Sequence, residues 1–246
     1  MKTIKMDFDP HTHSKYSDGK GTLEENILSA INKGLKKIAL TDHAYLHMAF
    51  GVKMNKIDKY LKDAYELKKS FNSQIEVLVG MEFNLLGLDG TVDIPKGYED
   101  EFELKLIGDH KFAKYKDIKS FMFMIGFQLS EKKRYSKDVL KANTNAYISA
   151  IENNNIDIIA HPSNMVKLDI KTLAKVCEKT DTLLEINSRH PDLKPMDVKE
   201  ILATKADFIL GSDSHKSSDI GECEYGEKFI LENKIPLKRV VNAVNA

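Results

Sequence analysis

The chain has no excess of either charge. Lys plus Arg and Asp plus Glu number 37 each over 246 residues, for a net charge of zero. That removes any global electrostatic reason to expect nucleic acid or an anionic membrane as partner, although a local basic patch stays open. Cysteine is nearly missing. Cys177 and Cys223 lie in distant segments without metal-type spacing, which fits a reducing compartment and argues against a disulfide framework. No apolar run approaches the ~20 residues that a membrane-spanning helix needs, and the stretch from Phe121 to Phe127 is far shorter. Met1 to Asp7 has no apolar segment leading to a small-residue cleavage site, so a cytoplasmic protein is expected. Repeats, low-complexity tracts and linker-like runs are absent as well. With 42% hydrophobic residues, the chain has material for one large core.

What is present is an alternation. Short apolar strands are expected over 4–9, 37–41, 75–80, 104–108, 156–160, 182–186 and 207–211. Helices are expected over 22–33, 56–70, 137–153, 170–178, 196–203, 225–233 and 237–243. Thr22, with Glu25 three residues on, reads as a capping box, and Gly34 as the stop. Residues 84–95, with Asp89-Gly90, read as a hairpin on the rim. Residues 111–136 form a long irregular stretch, either a surface connection or a lid over a site. Seven strands alternating with helices predict a parallel sheet covered by helices, for which an α/β barrel of ~250 residues is a known single-domain solution.

The strand ends carry the chemistry. They read Asp9-Pro10-His11-Thr12-His13, Thr41-Asp42-His43, Met81-Glu82, Asp109-His110, Ala160-His161-Pro162, Glu185-Ile186-Asn187 and Ser212-Asp213-Ser214-His215. In a parallel barrel these C-terminal ends converge on one face, so distant positions become neighbours. Six of the eight histidines fall there, which scattered core or surface imidazoles have no reason to do; His47 and His190 are the remainder and read as surface residues. Imidazoles and carboxylates gathered in this number can hold more than one ion, and a carboxylate between two ions can bridge them.

Asp9-x-His11-x-His13, Asp18, Asp42-His43, Glu82, His110, His161-Pro162 and Asp213-x-His215 resemble the PHP superfamily, named for polymerase and histidinol phosphatase domains. Gly80-Met81-Glu82, Asn143-Thr144-Asn145, His161-Pro162-Ser163-Asn164 and Gly221-Glu222 strengthen the likeness to its small stand-alone phosphatases. It runs from Asp9 to about Ala243, so one PHP domain is expected over 1–246. The resemblance implies a distorted (β/α)7 barrel and a trinuclear centre of divalent zinc, manganese or iron. Position by position, it implies His11, His13, Glu82 and Asp213 on one ion, Glu82, His110 and His161 on a second, and Asp18, His43 and His215 on a third. Asp18 stands where some relatives use His, and its hard oxygen favours manganese or iron somewhat over zinc.

The implied reaction is hydrolysis of a small phosphomonoester by a metal-activated hydroxide, with Glu82, Asp213 and His215 carrying catalysis. Phosphate oxygens away from the metals want cationic donors. Arg189, alone of the three arginines near the ligand face, is the first candidate and Lys111 the second, against the plainer readings of a salt-bridge partner and a solvated lysine. Asp9 and Asp42 are expected to orient His11 or His43 through the second ring nitrogen, and Asn187 to hydrogen-bond at the rim. The competing functions are a phosphodiesterase or exonuclease on nucleotides or oligonucleotides and a non-catalytic metal-binding module. An oligomer is compatible with all three.

Overall fold

The computed structural model describes residues 3–124, 137–190 and 192–246. The expected first strand divides in two. β1 (Ile4–Met6) pairs antiparallel with the last strand, while β2 (Phe8–Asp9) opens a parallel sheet. That sheet runs in sequence order through β3 (Lys37–Leu40), β4 (Glu76–Asn84), β5 (Leu104–Gly108), β6 (Ile158–Ile159), β7 (Leu183–Asn187) and β8 (Phe208–Gly211). Seven parallel strands form a nearly closed (β/α)7 barrel, the expected class.

Helices α1 (Leu23–Asn32), α2 (Ile57–Phe71), α3 (Ile118–Met124), α4 (Lys137–Asn154), α5 (Ile170–Thr180), α6 (Pro195–Leu202) and α7 (Glu224–Glu232) lie between the strands in sequence. Several lay an apolar stripe on the sheet, as Ile57, Tyr60, Leu61 and Ala64 do from α2. The start of α1 is fixed as its sequence requires: Glu25 N–H donates to Thr22 Oγ1 at 3.1 Å and Thr22 N–H to the Glu25 carboxylate at 2.6 Å. Gly34 follows with φ +73°, the left-handed conformation that ends a helix. Cys177 and Cys223 are both buried. Among the described residues, no helix is long and apolar enough to cross a membrane.

Two expectations change. Residues 237–243 are not a helix: a 3-10 turn, Leu237–Arg239, gives way to β9 (Ala243–Asn245) on β1. Val240, Val241 and Val244 suit extended backbone, and Asn242 has a task that a surface helix would not allow. Its Nδ2 donates to Phe8 O and to Leu210 O, both at 2.7 Å, while Leu210 N–H donates to its Oδ1 at 2.8 Å. One side chain thus joins β2 to β8, the first strand of the barrel to the last. Higher on the same seam, His13 N–H donates to Ser214 O at 2.9 Å. The stretch at 84–95 holds a single antiparallel bridge, Leu85 to Val92, rather than a ladder, because β4 runs on to Asn84 and leaves only a short loop. Its Gly90, at φ +83°, packs so close to α4 that a Cβ there would lie 2.6 Å from Ala150 N. Residues 111–136 contain α3, and 125–136 of that candidate lid lie outside the described residues.

The barrel interior explains where the site sits. Ala39, Leu104, Leu106, Ile158, Ala160 and Ile209 form one buried apolar cluster with Leu78 and Leu183 packed against it. Side chains alternate along a strand, so two residues past this layer the inward positions are small, and two further on they are functional. Leu78, Gly80 and Glu82 follow one another on β4; Leu106, Gly108 and His110 on and after β5; Ile209, Gly211 and Asp213 on and after β8; Ala39, Thr41 and His43 on and after β3.

Candidate metal centre

Glu82 is fully buried at the centre of the converging strand ends. Its Oε1 faces His161 Nε2 at 2.8 Å and His110 Nε2 at 3.1 Å. Its Oε2 faces His43 Nδ1 at 2.7 Å, His11 Nε2 at 3.4 Å and His13 Nε2 at 3.7 Å. Asp213 lies 3.3 Å from His13 Nε2 and 3.9 Å from His11 Nε2. Asp18 lies 3.3 Å from His215 Nε2 and 3.8 Å from His43 Nε2. All nine residues singled out as ligands therefore meet, drawn from six segments of the chain. Among the described residues, three sets have donor atoms within 4.8 Å of one another: His11, His13 and Glu82; His43, Glu82 and His110; and His13, Asp18, His43 and His215.

The polar atoms of this cluster fit divalent cations better than they fit one another. His11 Nε2, both nitrogens of His13, His43 Nδ1, His110 Nε2, Asp18 Oδ1 and Glu82 Oε2 are buried without a hydrogen-bond partner. His43 Nδ1 and Glu82 Oε2 stand 2.7 Å apart yet are not aligned as donor and acceptor. Buried polar atoms are nearly always paired, and lone pairs that converge without protons between them are what a cation satisfies.

The protonation pattern carries the same conflict. Burial alone would depress His11, but Glu185, Glu82 and Asp213 hold it well above the ordinary imidazole value. His161 is likewise carried against burial to about 10 by Glu82. Burial and the charge of His43 push His13 down to about 3, and burial takes His110 to about 4 against the pull of Glu82. Glu82 and Asp213 stay well below the usual carboxylate range despite burial, because imidazoles surround them. Backbone strain accompanies the charge. His161 at φ +32° and Asp213 at φ +51° adopt left-handed conformations that cost non-glycine residues about 1–3 kcal/mol each.

The groups that orient this cluster differ from those expected. Asp42 accepts from Ser14 N–H and Oγ–H at 2.8 and 2.7 Å and from Ser17 N–H at 3.1 Å, so it shapes the loop leading to Asp18 rather than holding the His43 ring. Asp9 accepts from the backbone N–H of Gly221 at 2.8 Å and of Ser212 at 3.2 Å, fastening the two ends of the barrel instead of the His11 imidazole. Glu185 takes the orienting role. One carboxylate oxygen sits 2.8 Å from His11 Nδ1; the other accepts from His161 N–H at 2.7 Å and Asn187 Nδ2 at 3.0 Å. Asn84 Oδ1 lies 2.8 Å from His110 Nδ1, and Asn84 is itself held by Asp93 at 2.6 Å. Glu185 stood among the strand-end residues, but only its inward register at 0% exposure marks it out. Asp93, nine residues beyond Asn84, carries no local signal.

His47 is buried at 6% exposure rather than on the surface, stacked on His43 with ring centroids 5.0 Å apart. His190 is partly exposed, 3.6 Å from Asp213. Asn187 accepts the N–H groups of Arg189 at 2.9 Å and His190 at 2.8 Å, which fixes the turn that presents Arg189. The guanidinium of Arg189 donates to Asp213 O at 3.4 Å and lines a cavity of about 950 Å³ together with Asp18, Asp213 and His215. Lys111 is exposed and lies outside that lining.

A family model described as PHP domain matches residues 9–189. A Thermoanaerobacter sp. (strain X514) protein named "Probable phosphatase" is 28% identical over 251 residues, covering 97% of this chain and 91% of that one. The DNA polymerase/3'-5' exonuclease PolX of Bacillus subtilis (strain 168) is 25% identical over 96% of this chain but only 39% of its own length. Among solved structures, the histidinol phosphate phosphatase of Lactococcus lactis subsp. lactis, complexed with Zn, L-histidinol and phosphate, superposes with a TM-score of 0.61 at 17% identity, covering 95% of this chain and 92% of that one. With three quarters of its length matched by the family model and its seven-stranded barrel in place, the chain belongs to the PHP domain family.

Proposed function

We propose that this protein is a metal-dependent phosphatase that hydrolyses a small soluble phosphomonoester, a histidinol-phosphate-like compound being one candidate. The observation that carries the reading is the division of imidazoles between the two oxygens of buried Glu82, with unpartnered donor atoms on both sides. In this reading His11, His13, Glu82 and Asp213 hold one ion, Glu82, His110 and His161 a second, and Asp18, His43 and His215 a third. Bound zinc, manganese or iron supplies a Lewis acid and lowers the pKa of coordinated water toward neutrality. Glu185 and Asn84 keep the lone pairs of His11 and His110 directed at Glu82. Arg189, anchored through Asn187 and Asp213, offers a planar pair of N–H donors to phosphate oxygens at the cavity wall. Lys111 stands outside that wall. One domain over 1–246 carries the whole site.

The PolX likeness favours a phosphodiester strand as the competing substrate. Against it, the cavity wall intersperses Lys20, Lys216 and Lys228 with Asp219, Glu222 and Glu224, which is no continuous basic track for a nucleic-acid backbone. The test is phosphate release from a broad panel of monoesters by metal-loaded protein and by Glu82→Gln, with elemental analysis alongside. Release lost in the variant, with three ions per wild-type chain, is expected. No release from any monoester refutes the function, activity on oligonucleotides with a steep salt slope transfers it to the diesterase reading, and two ions or fewer refutes the trinuclear centre.

A further inference from the structure

The site opens past an apolar shelf that metal binding and phosphate recognition leave unused. Two loops build it. Residues 44–52, after β3, and 110–116, after β5, run antiparallel: His47 bridges Ala113, Met48 N–H donates to Phe112 O at 2.8 Å, and Lys114 N–H donates to Leu46 O at 2.8 Å. The pairing brings Met48, Phe50 and Phe112 together with 70%, 45% and 50% of their surfaces exposed. Phe50 meets Phe112 edge to face, with centroids 6.5 Å apart at 86°.

Exposed apolar side chains scattered singly need no explanation, but three side by side at the mouth of a polar site do. Phe50 is also locked in orientation. Its N–H donates to His47 Nδ1 at 3.1 Å, its ring lies nearly parallel to the His47 ring at 5.3 Å, and His47 in turn stacks on His43 at 5.0 Å and 19°. The shelf is therefore two stacked rings away from a residue assigned to the third ion. Phe50 lines the same cavity of about 950 Å³ as Asp213, His215 and Arg189, with Tyr225 also in its wall.

Resting on the phosphomonoesterase reading, we infer that Phe50, braced edge to face by Phe112, selects the alcohol portion of the substrate, and that this portion carries a flat apolar ring seated on the Phe50 face while the phosphate lies toward Arg189. Apolar walls with a few fixed polar groups are the usual make-up of small-molecule sites, and an aromatic face rewards a ring over a short alkyl chain through both burial and stacking. The reaction is an ordinary hydrolysis: the P–O bond to the alcohol breaks, water supplies the oxygen of the released phosphate and its proton goes to the departing alkoxide.

The experiment compares 2-phenylethyl phosphate with ethyl phosphate, whose leaving alcohols are of similar acidity, using the full chain loaded with Mn²⁺. The wild type is expected to prefer the aryl substrate by roughly tenfold or more in kcat/KM, mostly through KM. In Phe50→Ala the preference should fall to about twofold, in Phe50→Leu to an intermediate value, while Val241→Ala, an exposed change beside the start of β8 and away from the ligand-bearing strand ends, keeps it. Measurable hydrolysis of both esters without preference overturns the inference and leaves the phosphatase reading standing. A preference that survives Phe50→Ala overturns it too, as does a loss of self-association in that variant at an unchanged ratio, which would make the shelf a contact between copies. No release from either ester, with the wider panel also inert, overturns both.

Discussion

Replacing Glu185 by Gln changes one atom and almost no volume, yet it should cripple metal binding. Both carboxylate oxygens of Glu185 only accept: one faces His11 Nδ1 at 2.8 Å, the other takes His161 N–H at 2.7 Å and Asn187 Nδ2 at 3.0 Å. A glutamine has one accepting oxygen and one donating amide. If its oxygen serves His161 and Asn187, the amide points at His11 and forces the tautomer with hydrogen on Nε2, aimed at Glu82 where an ion belongs. If it serves His11, two buried donors meet a third. Either arrangement loses a charge-assisted hydrogen bond of about 1.5–3 kcal/mol, and changes to such orienting groups commonly cost ~10–100-fold in metal affinity. Competition of Zn²⁺ or Mn²⁺ against a fluorescent chelator measures this directly, with circular dichroism of the metal-free proteins as the check on folding. Wild-type affinity in a folded Glu185→Gln variant would refute the role of Glu185.

Gly108→Ala places a methyl 2.7 Å from His161 Cε1, 2.9 Å from Glu82 Oε1 and 3.0 Å from His110 Cε1, all held groups, so melting should show a loss of about 1–3 kcal/mol and phosphate release should fall by roughly 100-fold; an unchanged melt and rate would refute it. Removing metal with a chelator should lower Tm, since ligand at 100 times its Kd adds about 2.7 kcal/mol, or roughly 5–10 °C for a chain of this size; equal Tm values with and without metal would refute it. Burial raises the Asp93 carboxyl to about 6, against the donors Asn84 and Leu46. The folded value exceeds the unfolded one, so Asp93 contributes stability below about pH 4 that is lost as pH rises through 6, a swing of about 3 kcal/mol. Urea unfolding of metal-free Asp93→Asn should therefore gain on wild type from pH 4 to pH 7, and parallel pH profiles would refute this.

The barrel was legible because its strands are short, apolar and regularly interrupted, and the cluster because its ligands fall at strand ends. The repeated step from apolar to small to ligand, as in Leu106, Gly108 and His110, is also written in the chain, though it gains meaning only once the inward register is known. What escaped the reading acts across distance. Glu185 reaches His11 over 174 positions, and Asn242 joins two strands more than 30 residues away on one side and more than 230 on the other. Local pattern also misassigned the end of the chain. Residues 237–243 have an acceptable helical period, but the valines and the hydrogen bonds of Asn242 are worth more in extended form than an exposed helix gains.

These long-range contacts resolve an apparent conflict in the design of the site. The buried polar atoms left without partners in the cluster and the left-handed backbone of His161 and Asp213 work against folding, and no distribution of protons satisfies every buried nitrogen at once. The ligand cluster places its share of that cost at the C-terminal ends of the strands. Beneath it, Leu104, Leu106, Ile158 and Ile209 pack in one buried apolar layer, and the seam is closed by Asn242 at a level below the ligands. Glu185 and Asn84 are then the junction between the two regimes: they extend the well-satisfied hydrogen bonding of the barrel up to His11 and His110, and so hold open the lone pairs that the cluster leaves unpaired. A barrel whose lower half supplies the stability can keep its upper half poised for cations, which is why the residues that orient the ligands, more than the ligands themselves, should decide whether a relative with the same histidines still binds metal.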